Sequence, residues 1–220
     1  MSEIGKRIDG IIREGLAKEL KAIGCKKSGR NFVLEGEESL RLVNVQASQW
    51  NFENRGEFTL NLGAYFPKVE RLLKSPRLKT FPKEYECTVR VRIGELMPGG
   101  LDTWWKLDAS TDDAKLAGEL VEAWTRYGKP WFESMTTLQG LYGELFVRKN
   151  EAAQWKTDLQ LAVCRLLGET DRVKRMLQSQ KQARKQARTE PTICIVQIGS
   201  PKPGMSETAG ADTVLKGGGS

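Results

Sequence analysis

The sequence predicts an α+β fold, an antiparallel sheet of four to five strands packed by helices, with a C-terminal helical hairpin as an extension. Three observations predict it. Ile4, Ile8, Ile11, Ile12, Leu16, Leu20 and Ile23 recur mainly at three- and four-residue steps with charged residues between them, the pattern of a half-buried helix. From Asn31 onward the apolar period falls to two in four separate stretches, which marks strands. Late in the chain helical spacing returns in three segments, the last two joined only by Gly168-Glu169, the short link of an antiparallel pair.

The first helix is predicted over residues 4–23, with Gly24 as its stop. Gly10 and Gly15 each weaken it by about 1 kcal/mol relative to Ala, so tertiary packing must hold it. After Lys26-Lys27-Ser28-Gly29-Arg30, strands are predicted at 31–35, 39–50, 57–66 and 85–96. Gly36-Glu37-Glu38 is a tight turn between the first two, and Asn54-Arg55-Gly56 a turn between the next two. Phe58, Leu60, Leu62 and Ala64 alternate with Thr59, Asn61, Gly63 and Tyr65, giving one packed and one partly wet face. In 85–96, Cys87, Val89, Val91 and Ile93 are set inward against Glu86, Thr88, Arg90 and Arg92. Residues 67–83, with Pro67, Pro76 and Pro82, read as a long loop with one helical turn near 69–73. Met97-Pro98-Gly99-Gly100 is a turn into a short fifth strand at 103–107, which brings in Trp104 and Trp105.

Thr111 is the expected N-cap of the next helix, with Asp112 and Asp113 in a first turn where negative charge suits the helix dipole. Leu116, Leu120, Val121 and Trp124 are its buried face, and Gly128 and Pro130 its end. Three helices follow at 138–148, 151–167 and 170–188. A late edge strand is expected at 192–198 and a disordered tail at 199–220. The organisation is therefore an α+β domain over 1–135, a helical extension over 136–190 and a largely disordered tail over 191–220.

Composition narrows the chemistry. The 220 residues hold 39% hydrophobic and 29% charged side chains, an ordinary globular balance, and no apolar run nears the roughly 18 residues that span a bilayer. Met1-Ser2-Glu3-Ile4-Gly5-Lys6-Arg7 lacks the apolar core of a secretory signal, so a cytoplasmic location is expected. Cys25, Cys87, Cys164 and Cys194 form no CxxC pair, which argues against a zinc knuckle or redox motif and for small apolar fillers. There is no histidine, which excludes Ser-His-Asp and Cys-His mechanisms. No metal site and no cofactor are predicted, since Gly99-Gly100 opens no phosphate loop. Glu37-Glu38 and Asp112-Asp113 have structural explanations as a turn and a helix start.

One stretch carries a resemblance. Gly24, Lys26, Lys27, Arg30 and Phe32 precede Asn44-Val45-Gln46, Ser48, Trp50-Asn51 and Asn61-Leu62-Gly63. Residues 1–135 thereby resemble the bacterial domain of unknown function 4304 family. In that family a helix ends in a Gly-aromatic-Lys-Lys run and the following strands carry Asn-x-Gln and Asn-Leu-Gly elements. Trp131-Phe132 matches an aromatic pair that closes the domain, whereas Cys25 stands where the family has an aromatic residue. The resemblance implies a fold and no activity.

Candidate site residues follow from polarity inside strands. Asn44, Gln46 and Asn61 interrupt Val- and Leu-rich strands, and their amides either line a shared binding surface or tie down neighbouring loops. Arg41, Arg90 and Arg92 alternate with apolar positions and are expected to face solvent or a partner. A non-catalytic bacterial protein that binds another protein through the sheet's polar face or its Trp-rich segment is the favoured expectation, with immunity or defence as the setting by analogy. The alternative is a nucleic-acid-binding protein. Residues 171–190 hold seven bases against two acids, five of the seven net positive charges of the chain. Lys174, Lys181, Arg184, Lys185 and Arg188 fall on one helical stripe that can follow a phosphate backbone. A third reading is an enzyme in which Lys26 and Lys27 activate the Cys25 thiol.

Overall fold

Ser2 caps the first helix, α1 (Glu3–Glu14), its hydroxyl accepting from the Gly5 N–H at 3.2 Å. The computed structural model describes residues 2–52, 54–73, 81–147 and 155–189, at 155, 156, 184 and 187–189 by the backbone alone. In it the predicted helix over 4–23 is broken at Gly15, and α2 (Leu16–Ala22) follows at a new angle of the chain. Close packing is the reason. A Cβ on Gly15 would stand 2.8 Å from the Ala117 carbonyl oxygen, so only glycine lets the two backbones meet. α2 ends as predicted at Gly24, where the Gly24 N–H donates to the Lys21 carbonyl and the Cys25 N–H to that of Leu20.

The sheet begins one strand earlier than predicted. β1 (Lys26–Ser28) pairs antiparallel with β2 (Asn31–Glu35), which pairs with β3 (Leu40–Ala47), which pairs along its length with β4 (Gly56–Tyr65). The short helix α3 (Pro67–Glu70) follows. β5 (Val89–Arg92) then pairs with Asn61–Ala64 of β4, and after α4 (Ile93–Leu96) β6 (Trp105–Leu107) pairs with the start of β4. The strand predicted over 85–96 is thus shorter than expected. Glu86 accepts from the Lys83 N–H and Glu95 from the Arg92 N–H, each at 2.9 Å, and these local caps fold the two ends into helical turns. Cys87 is displaced with them, and lies with Leu42 and Tyr65 on the opposite face from Val89, Val91 and Ile93.

Asp112, not Thr111, caps α5 (Asp113–Ala123), accepting from the Ala114 and Lys115 N–H groups at 2.9 and 3.1 Å. The Thr111 hydroxyl accepts instead from the Asp108 N–H at 2.8 Å. Nor does the chain leave the helix at Gly128. A π-helical turn, Trp124–Gly128, carries it into α6 (Lys129–Ser134), with Pro130 in the first turn of α6. α7 (Leu138–Phe146) is capped by the Thr137 hydroxyl and by Glu38, whose carboxylate accepts from the Leu138 N–H at 2.8 Å. α8 (Trp155–Leu166) packs on α7 and α3 and stops at Gly168, with φ 74°, before α9 (Thr170–Thr189). Residues Met1–Ser179 form one compact unit, and a second begins at Gln180.

One core holds the first unit together. Phe32, Val43, Val45, Phe58, Leu60, Leu62, Val89 and Val91 line the inner face of the sheet and share a cluster with Ile8, Leu16, Leu20, Leu120, Trp124, Phe132, Leu141 and Val163. Each such side chain contributes about 1.5–3 kcal/mol of burial, which offsets the glycine cost in α1. Among the described residues no helix is long and apolar enough to cross a membrane. The predicted strand at 192–198, the tail at 199–220 and residues 74–80 of the long loop lie outside the described residues.

Candidate binding surface

Strand parity sends the polar residues to the face away from the helices. Asn31, Asn44, Asn61 and Arg92 are register partners on four successive strands, so their side chains form one row across the sheet. The row is hydrogen-bonded from end to end. Arg92 Nε donates to Asn61 Oδ1 at 3.2 Å, and Asn61 Nδ2 donates to Gln46 Oε1 at 2.8 Å and to Asn44 Oδ1 at 3.3 Å. Asn44 Nδ2 then donates to Asn31 Oδ1 at 2.8 Å, and Asn31 Nδ2 to the Ser28 carbonyl at 3.4 Å on the edge strand. Every link points away from the guanidinium, so its charge polarises each amide in the same sense. Asn61 is buried, Asn44 and Arg92 are half-buried, and Gln46 is exposed.

The far side of Arg92 is held as firmly. Arg92 Nη1 donates to Asp102 Oδ2 at 2.7 Å, the Trp104 indole N–H donates to the same oxygen at 3.0 Å, and the guanidinium stands 5.2 Å from the Trp104 ring centroid. The hydrogen bonds from Arg92 and then Trp104 hold the Asp102 carboxyl below the ordinary carboxylate range. This corner exists because of Gly94. A Cβ there would stand 2.1 Å from the Leu101 carbonyl oxygen and 2.6 Å from the Thr103 nitrogen, so the returning segment passes directly against α4. Thr59, buried in β4, donates to the Thr103 carbonyl at 2.8 Å and fixes the same segment.

Arg90 is exposed on the same face and pairs with Glu84 at 3.3 Å, apart from the row. The β3–β4 loop ends the face with two aromatics, Trp50 and Phe52, each 73% exposed. Their loop is pinned by Asn51, whose amide donates to the Glu57 carbonyl at 3.2 Å and accepts from the Glu57 N–H at 2.8 Å.

The structure therefore unites Asn44, Gln46, Asn61 and Arg92 and adds Asn31 and Asp102, which sequence reasoning missed, and Trp104, expected only within the Trp-rich segment. Asn31 was legible as the start of a strand, but its place opposite Asn44 follows only from the observed register. Asp102 had no signal and Trp104 was foreseen only as part of the Trp-rich segment, since it is the close passage at Gly94 that brings both to Arg92. Two expectations are corrected. Arg41 faces the core, sharing parity with Val43 and Val45, and is buried against α6. Cys25 is not activated by Lys26 and Lys27: burial pushes its thiol up to about 11, while Lys26 pairs with Glu35 and Lys27 stands over Phe32. Lys174 lies in the first unit, and Lys181, Arg184, Lys185 and Arg188 in the second; Lys181 and Lys185 are exposed. Among the described residues no group of three His, Cys, Asp or Glu side chains is placed to hold a metal ion.

The profile of the family described as domain of unknown function (DUF4304) matches residues 16–134, more than half of the chain. The chain belongs to the DUF4304 family. The matched span contains the whole row from Asn31 to Arg92 with Asp102 and Trp104, and ends at the close of α6. The helices α7, α8 and α9 lie beyond the DUF4304 match. No curated protein and no solved structure matches the chain.

Proposed function

We propose that the chain is a non-catalytic bacterial cytoplasmic protein that binds another protein through the outer face of its sheet, in an immunity or defence setting. The row Asn31, Asn44, Asn61 and Arg92, locked by hydrogen bonds and closed by Asp102 and Trp104, is the observation that carries this reading. Polar side chains already fixed in place lose little further entropy when a partner binds, so such a surface is preorganised. Arg92 stacked on Trp104 supplies the two residue types that most often dominate interface energy, and exposed Trp50 and Phe52 extend the same end of the sheet.

The test is affinity capture from the native host with the full chain, comparing wild type with the Gln46→Arg, Arg92→Ala double variant by quantitative mass spectrometry. A partner retained by wild type is expected to be lost by the variant, its purified form binding at least about tenfold more weakly. Equal retention by both proteins, or turnover of a small molecule by purified material, contradicts the proposal.

A second reading, nucleic-acid binding, is favoured by the helix formed over Thr170–Thr189, on which Lys181 and Lys185 are exposed one turn apart. It requires steeply salt-dependent binding that Lys181→Glu and Lys185→Glu weaken.

A further inference from the structure

One residue fixes the hydrogen-bonding polarity of the outer face. A guanidinium only donates, so Arg92 Nε, 3.2 Å from the Asn61 amide, admits nothing there but its oxygen. Asn61 must then turn Nδ2 toward β3, where it meets Gln46 Oε1 at 2.8 Å and Asn44 Oδ1 at 3.3 Å. Both of those amides therefore spend their oxygens on Asn61, and Asn44 gives one N–H to Asn31 Oδ1. What the row has left to offer is donors. Among the described residues no group accepts from Gln46 Nε2, from the second hydrogen of Asn44 Nδ2 or from Arg92 Nη2. Gln46 is exposed and Asn44 and Arg92 are half-buried, so the row is open to a partner.

A surface of donors selects its occupant. Amide and hydroxyl side chains bring donors along with their acceptors and a cationic side chain brings donors alone, whereas an ionised Asp or Glu only accepts. Hydrogen bonds to a carboxylate are also about twice as strong as those between neutral groups. A polyanion fits less well. Lys26, Arg90 and Arg92 on this face already pair with Glu35, Glu84 and Asp102, and a phosphate backbone calls for a series of unpaired cations. The face suits an isolated acidic side chain, not a run of phosphates.

We propose that the outer face recognises an acidic side chain of its protein partner, a carboxylate seated on the free N–H groups of Gln46 and Asn44 beside Arg92. This rests on the reading of that face as the binding surface and adds the chemistry of what binds there. Gln46 is the position that sets the specificity. Gln46→Glu keeps an oxygen for Asn61 Nδ2 and turns the outward donors into an acceptor, so it inverts the polarity of the surface while the row beneath stays bonded.

The test follows the side-chain NH2 resonances of Gln46 and Asn44 in the nitrogen-15-labelled full chain. The end-blocked peptide Ser-Glu-Ser-Glu-Ser, its Gln counterpart and hexauridylate are titrated separately at constant ionic strength. The acidic peptide is expected to shift both resonances saturably and to bind Gln46→Glu at least about tenfold more weakly, at an unchanged urea midpoint. Equal shifts with the Gln peptide, larger ones with hexauridylate, no movement with any of the three, or undiminished binding to Gln46→Glu overturns the proposal. Capture from the native host separates it from the reading on which it rests. Loss of the partner by both Gln46→Glu and the Gln46→Arg, Arg92→Ala variant is the expected result. If the double variant keeps the partner, the outer face is not the binding surface and both fall; if it loses the partner while Gln46→Glu keeps it, only the acidic chemistry falls. Should Gln46→Glu not fold, the wild-type comparison of the Glu and Gln peptides decides alone.

Discussion

Asn61 is the hinge of the outer face because it is both buried and shared. Its amide satisfies Arg92 Nε, Asn44 Oδ1 and Gln46 Oε1 at once, so Asn61→Ala strands three partners rather than one. Exposed Gln46 regains water while half-buried Asn44 and Arg92 lose a partner, so Asn61→Ala should lower stability to urea by about 1 kcal/mol, the low end of the cost of an unpaired buried group. Gln46→Ala, at an exposed position accepting one bond, should stay within roughly 0.5 kcal/mol of wild type. Equal losses for both would mean that the row is surface decoration. How legible such residues were depends on parity. Phe58, Leu60 and Leu62 against Thr59, Asn61 and Gly63 gave the faces of β4 unambiguously. Leu40, Arg41, Leu42 and Val43 did not, because at that end both faces of β3 are apolar and a second small cluster, Leu42, Tyr65 and Cys87, covers the outer one. An arginine there reads as solvent-facing until the register is known.

Elements were legible where one period runs unbroken and illegible where backbones touch. The isoleucine stripe of α1 and α2 identified the helix, but its break at Gly15 answers to Ala117, a residue more than a hundred positions away. Likewise 85–96 alternates as a strand should, and the carboxylates of Glu86 and Glu95 nevertheless curl both ends by bonding to nearby N–H groups. The extra strand β1 was hidden because Lys26, Lys27 and Ser28 are all exposed on an edge, where no hydrophobic pattern is required. The same logic predicts opposite signs for one chemical change. Gly118→Ala, on an open stretch of α5 with nothing within 4 Å of the added carbon, should stabilise the fold by roughly 0.5–1 kcal/mol through helix propensity. Gly94→Ala should destabilise it, because the new carbon meets the Leu101 and Thr103 backbone, and should also move Trp104 away from Arg92. Thermal unfolding gives the sign of each, and tryptophan fluorescence reports the displacement. A Gly94→Ala protein with unchanged stability and fluorescence would remove the argument for that corner.

At the scale of the molecule, helices on one side of the sheet leave the other side to polar contacts, and sequence reasoning foresaw that division. It foresaw less of the helices beyond α6: Leu138, Leu141, Leu145, Leu159 and Val163 belong to the same core as the sheet. They are bound to it by packing that no local period displays. The central claim is that this α+β unit acts by presenting its ordered outer face. The most direct measurement follows the side-chain amide resonances of Asn44, Gln46 and Asn61 and the indole resonance of Trp104 as a purified, captured partner is added. The account predicts that these four shift or broaden together, while the Gln160 amide, which donates to the Leu145 carbonyl at 3.0 Å on α7, stays where it is. Perturbation confined to residues of α9, with the four outer-face resonances unmoved at saturation, would contradict it.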